Sequence, residues 1–243
     1  MPKQTGDFPL IGSFGDFVFY KTKHGNLVRR KGNLNKERVS TEAAFEGSRK
    51  ASSEFGRAGS ASGLIRNEIK KHCPYAGDGE THARLSKLLG EVIRADQKNP
   101  KGERQILAEN IAPLKSFEWI KDKPLSRSFW AQCGGSLGED GVLAITMPGL
   151  QPKRDFGWPA DATHAEIKVV GIAADFPAKT ATSTAASSGL LMKSAVSIDK
   201  TLQCPLPVQD GLVLMAGIGI QFFRETGGKI EPMTEGAAFG IVG

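Results

Sequence analysis

The stretch Leu212–Phe223 limits the possible folds more than any other part of this chain. In an extended strand, Leu212, Leu214, Ala216, Ile218, Ile220 and Phe222 lie on one face. Val213, Met215, Gly217, Gly219 and Phe223 lie on the other, and Gln221 is the one polar residue. Side chains alternate across a strand, so a strand that is apolar on both faces must be covered on both. One face belongs to a sandwich core, and the other needs helices or a second subunit over it. At about 3.3 Å per residue the strand is roughly 40 Å long, about twice the usual length.

The surrounding sequence supplies strands to pair with it. From about Pro124 onward the apolar period is 2, with candidate strands at Phe129–Cys133, Val142–Met147, Thr163–Ala174, Leu190–Ser197, Lys229–Pro232 and Ala237–Val242. Gly, Pro and Asp punctuate them and no helical pattern intervenes, which predicts an antiparallel β-sandwich or open barrel. The Ala/Ser/Thr-rich stretch Lys179–Gly189 reads as an exposed loop or a weak edge strand.

The first half reads differently. Residues 14–31 predict a β-hairpin, with Phe17, Val18, Phe19 and Tyr20 favouring a strand and His24-Gly25-Asn26 supplying the turn. A polar, basic connector, residues 32–40, leads to a long helix over Glu42–Lys71, with Ser40 or Thr41 as its N-cap and Phe55, Ala58, Ile65 and Ile69 as its apolar side. A second helix is expected over about Gly79–Lys98 and a third over Glu103–Ala112. The expected fold is therefore α+β: a hairpin and connector in residues 1–40, a helical layer in 41–123, and an antiparallel sandwich in 124–243.

Within the long helix, Ser52, Gly56, Gly59, Ser60 and Gly63 recur at spacings of three and four and share a face. Glycine inside a helix costs about 1 kcal/mol relative to alanine, so the stripe makes sense where another backbone comes close. That neighbour is either an element of the same chain or another subunit. An isolated hairpin is marginal in water and also needs something to dock on. The residues expected at a subunit contact are Phe17, Phe19 and Tyr20 of the hairpin with Phe55, Gly56, Arg57, Gly59 and Gly63 of the helix.

Charge is uneven along the chain. Residues 1–72 carry +7, residues 73–123 carry +1 and residues 124–243 carry −2. Opposite patches favour head-to-tail contact between copies. A basic tract beside aromatics, Arg29, Arg30 and Lys31 with Lys36 and Arg38 beyond, is alternatively a nucleic-acid contact, because cations track phosphates while rings stack on bases. No run of 18 apolar residues is present, so no membrane span is expected. The N-terminal residues lack the apolar core of a signal peptide. Three widely spaced cysteines, Cys73, Cys133 and Cys204, fit a reducing compartment, so the expected location is cytoplasmic, with non-standard release left open.

Catalytic patterns are sparse. Gly134-Gly135-Ser136-Leu137-Gly138 matches G-x-S-x-G, but the nucleophile elbow needs a helix directly after it and a parallel sheet around it, so the segment reads as a turn. His72, Cys73 and His82 lack a fourth ligand for a structural zinc site, and Thr163-His164 reads as a packed pair. No enzymatic activity, cofactor or metal is expected.

Several segments carry a resemblance: Gly15-Asp16-Phe17-Val18-Phe19-Tyr20-Lys21, then Glu54-Phe55-Gly56-Arg57-Ala58 with Gly63-Leu64-Ile65-Arg66, then Ala162-Thr163-His164. Together they resemble a family of uncharacterised bacterial proteins that share a G-D-x-x-F-Y-K hairpin and an E-F-G-R-A…G-x-L-I-R helix. The resemblance implies architecture and no activity, and it places Glu54, Arg57 and Arg66 in a shared motif, as an ion pair framing the glycine face. The expected role is a structural subunit that assembles with itself into a filament, tube or similar homopolymer.

Overall fold

The computed structural model describes residues 2–6, 8–32 and 36–242, with the backbone alone for Ser116. The chain divides into two compact units, Met1–Arg49 and Lys50–Gly243.

In the first unit, β1 (Gly12–Phe14), β2 (Phe17–Thr22) and β3 (Gly25–Arg30) form an antiparallel sheet in that order. The turn falls at Lys23-His24, where the Thr22 hydroxyl accepts the His24 N–H at 3.1 Å and donates to the Gly25 carbonyl at 3.0 Å. Gly25 follows at φ 113°, a conformation that a side chain would strain. Residues 2–4 run along β3, with Gln4 N–H donating to Asn26 O at 2.9 Å and Val28 N–H to Pro2 O at 3.1 Å. Part of the connector, residues 33–35, lies outside the described residues. The rest of it coils into α1 (Lys36–Thr41). Ser40 and Thr41 therefore do not cap the long helix. Their hydroxyls turn back to the Glu37 carbonyl, at 2.8 and 2.9 Å. A 3-10 turn, Ala43–Phe45, leads into α2 (Glu46–His72).

The second unit is layered. From α2, Ala58, Ala61, Ile65 and Ile69 pack with Leu85, Leu89, Val92 and Ile93 of α3 (Thr81–Arg94) in one core. The third helix expected at 103–112 is absent. Asp96 takes the Gln105 N–H at 2.9 Å and Asn110 takes the Leu107 N–H at 2.8 Å, so side chains capture backbone donors and hold the segment in turns. A 3-10 turn, Ala112–Ser116, precedes Trp119, which packs edge-on against Phe117 and Phe239 with ring centroids 5.5 and 5.4 Å away.

After a short α4 (Leu125–Ser128) come β4 (Gly134–Leu137), β5 (Val142–Leu150), α5 (Pro152–Asp155), β6 (His164–Asp175), β7 (Thr180–Met192), β8 (Ile198–Pro205), β9 (Val213–Thr226), β10 (Lys229–Pro232) and β11 (Ala238–Ile241). One antiparallel sheet runs β10-β9-β6-β7, and β11 pairs with β9 farther along the edge that β10 occupies. The other sheet is β4-β5-β8. Three local expectations are corrected, and the edge-strand reading of the Ala/Ser/Thr-rich stretch holds. Phe129–Cys133 contributes one bridge, Phe129 to Phe156, and no strand. Gly134–Leu137 is a strand and not a turn; the turn comes after it, where Gly141 N–H reaches Gly138 O at 3.0 Å. The Ala/Ser/Thr-rich segment is the edge strand β7, which ends at Met192, so Leu190–Ser197 is no strand of its own. The pairing strand lies later in the sequence, at β8.

β9 is covered on both faces. Ala216, Ile218, Ile220 and Phe222 join Ala165, Ile167 and Val169 of β6 in a core with Ile145 and Met147 of β5 and Leu202 and Cys204 of β8. On the opposite face Val213 and Met215 join Val170, Ile172 and Ala174 against the helices. Gly217 and Gly219 lie on this helical side. A Cβ on Gly217 would overlap the Phe239 ring, and one on Gly219 would press on Tyr75 and Cys73. The helices, then, supply the second cover that the sequence demanded.

Candidate subunit-contact surfaces

The register of the N-terminal sheet gathers its three phenylalanines on one side. Phe14 stands opposite Phe17, and Phe19 opposite Val28, so these four share a face. The other face carries Val18, Tyr20, Leu27 and Arg29, with the Arg29 guanidinium 5.9 Å from the Tyr20 ring centroid. None of the described residues in the first unit is buried. Phe8 is 91% exposed, Ile11 73% and Phe14 81%, and Phe17 is also exposed, whereas Phe19 and Tyr20 are half-buried. Among the described residues β1 has a ladder partner on one side only, which leaves its outer edge without a paired strand.

The basic tract is split by the same pleat. Arg29 and Arg30 are neighbours in β3 and therefore point to opposite faces. Arg30 lies 3.6 Å from Asp16, with both side chains largely in solvent, where such a pair contributes little. Lys31 donates its backbone N–H to the Asp16 carbonyl. Lys36 opens α1, and Arg38 is engaged by Glu42 at 2.6 Å.

The small-residue stripe of α2 does not face its own core. A methyl group added to Gly56, Gly59 or Gly63 would meet no atom within 4 Å. Gly56 is exposed, and Gly59 and Gly63 are half-buried along a groove of about 280 Å³ shared with Leu64, Asn67, Phe176 and Lys179. Phe55, expected on the apolar side, is 74% exposed. The buried face instead includes two carboxylates, Glu54 and Glu68. Glu54 accepts the Gly102 N–H at 2.7 Å, while Arg57 donates to the carbonyls of Gly102 and Arg104, the latter at 2.9 Å. Glu54 and Arg57 therefore clamp the loop at 102–104, where an ion pair was expected. Gly102 sits at φ 98°, and a Cβ there would overlap the Lys50 side chain, so only glycine fits the clamp. Glu68 receives Lys71 Nζ at 2.6 Å and the Ser183 hydroxyl at 2.8 Å, and His72 Nε2 lies 3.0 Å from the same hydroxyl, which fastens the end of α2 to β7.

Elsewhere the candidate chemistry is dispersed. Ser136 lies on exposed β4 beside a groove of about 320 Å³ whose lining includes Lys115 and Cys133 and, among the described residues, no histidine or carboxylate side chain. His164 is buried and its Nδ1 lies 2.9 Å from the Thr163 hydroxyl. His82 Nδ1 lies 3.0 Å from the Ser62 hydroxyl, while Cys73 is buried at the end of α2. Among the described residues no cluster of three His, Cys, Asp or Glu side chains could hold a metal ion, and no helix is long and apolar enough to cross a membrane. No protein-family model, curated protein or solved structure matches the chain.

Proposed function

We propose that this protein is a structural subunit that assembles with copies of itself into a filament, tube or similar homopolymer. The observation that carries this reading is the N-terminal unit: Phe8, Leu10, Ile11, Phe14 and Phe17 are all exposed, no described residue of the unit is buried, and β1 presents an open edge. Several exposed apolar side chains beside an open strand edge are the profile of a strand-addition contact. A head-to-tail contact of this kind does not close on itself and propagates. The +7 N-terminal third and the −2 C-terminal half steer copies into that order. The open glycine face of α2 offers a second seam. The three cysteines are free thiols, in keeping with a cytoplasmic site of action.

Negative-stain microscopy with light scattering tests the proposal. The full chain should form polymers, and a chain lacking residues 1–31 should remain dispersed and folded. Full-length protein that stays monomeric at high concentration, or truncated protein that still polymerises, would remove the N-terminal contact from consideration.

A second reading, nucleic-acid binding, is supported by the exposed Arg29, Arg30 and Lys31 and by the Arg29–Tyr20 stack. It requires affinity that falls steeply with salt and is lost when all three cations become alanine. Binding indifferent to salt, or unchanged in that variant, would count against it.

A further inference from the structure

Between the start of α2 and the end of α3 lies a groove of about 470 Å³, a volume in the range of small-ligand sites. Ala51 and Gly90 are small enough to open it, and Phe55 stands exposed beside it. Three cations line it. Arg94 lies back along its own helix, with Nη1 3.6 Å from where a Cβ on Gly90 would stand. Lys101 and Arg104 are presented by the loop that Glu54 and Arg57 clamp. None of the three has a carboxylate within 4 Å among the described residues, whereas Arg38, Lys71, Arg84, Lys98, Lys121 and Arg154 all do. Glu54 is the one acid in the lining, and it is already engaged by the Gly102 amide.

We infer that this groove binds a nucleotide, with its phosphate held by Arg94, Lys101 and Arg104 and its base laid against Phe55. The charge balance favours phosphate over a lone carboxylate: three cations and one acid leave +2 in the lining, and a phosphate monoester carries about −1.5 to −2 near neutral pH. Guanidinium groups suit phosphate oxygens through paired hydrogen bonds, and an exposed ring gives a base a stacking surface that an acidic peptide does not need. This site is separate in sequence from the basic tract at 29–31 and stands or falls without it.

Calorimetry on the full chain tests the inference with ADP, adenosine, pyrophosphate and a single-stranded RNA 20-mer as probes. ADP should bind more tightly than pyrophosphate or adenosine. The double variant Arg94→Ala/Lys101→Ala, which alters two exposed side chains, should weaken ADP by about tenfold or more. Phe55→Leu should erase the preference for ADP over pyrophosphate while leaving pyrophosphate binding intact. Replacing Arg29, Arg30 and Lys31 by alanine should leave ADP binding unchanged. No ADP binding at millimolar concentration, equal affinity for ADP and pyrophosphate, or indifference to the double variant would overturn the assignment. An RNA 20-mer that binds tighter than ADP and is weakened by the double variant would replace the nucleotide with a polymer and overturn it too.

Discussion

Asp96 is the single side chain on which the turn-rich segment after α3 depends most. It is buried and accepts from the Asn99 amide at 2.8 Å and from the backbone N–H groups of Lys98, Gln105 and Asn99 at 2.8, 2.9 and 3.3 Å. The Asn99 amide is the largest influence. Burial opposes it, but the backbone donors add to it, and the carboxyl is held down to about 2. A carboxyl depressed in the folded state stabilises the fold above its unfolded value near 4, and that contribution disappears as pH falls toward 2. Asp78 adds to the same acid limb. Burial alone would raise it, but the Lys121 and Glu80 amides, the Thr81 hydroxyl and Arg84 outweigh burial and keep it well below the carboxylate range. Urea midpoints should therefore fall between about pH 4 and about pH 2. Asp96→Ala should cost about 2 kcal/mol or more at neutral pH, because three amides lose a charged acceptor, and it should shallow the acid limb without abolishing it. A variant with the wild-type midpoint and the wild-type acid limb would show that Asp96 is dispensable.

At the scale of elements, glycines in two settings carry opposite predictions. Gly59 is helical with open space around it, so Gly59→Ala should raise the stability of dispersed protein by up to about 1 kcal/mol. Gly59→Leu should fold but fail to assemble if α2 forms a seam; normal polymers from that variant would make the stripe incidental. Gly217→Ala should instead cost about 1–3 kcal/mol, since its methyl would meet the Phe239 ring, and a neutral thermal shift would contradict the packing described. The two glycines look alike in sequence, and only tertiary packing separates them. Legibility followed the same line elsewhere. β9 was readable because an apolar run of that length admits few environments. β7 was ambiguous because Ala, Ser and Thr encode neither burial nor a turn, and Gly134–Leu137 misled because glycines in an edge strand look like a turn. Phe55 carried the helical period but sits in solvent, while Glu54, one residue earlier, is buried by a loop 48 residues later, a partner no local pattern contains. The three cations of the groove were invisible for the same reason, because that loop brings Lys101 and Arg104 to α3.

The whole molecule joins a second unit with apolar cores on both faces of one sheet to a first unit with no buried residue among those described. Stability should therefore reside in Lys50–Gly243, and removing residues 1–31 should leave the thermal midpoint of the dispersed protein within a few degrees of the full chain. A large drop would mean that the N-terminal strands contribute to the fold of a single chain. The tryptophans sit at three depths in this layered arrangement: Trp119 is 1% exposed in the core beneath the helices, Trp158 is half-buried against the core between the sheets, and Trp130 is 56% exposed. Each indole thus samples a different polarity, and the protein carries an intrinsic optical gauge. Iodide should quench Trp130 first. A red shift confined to Trp119 would record the helices lifting from the sheet while the sandwich stays closed, and a shift in Trp158 alone would record the sandwich opening beneath intact helices.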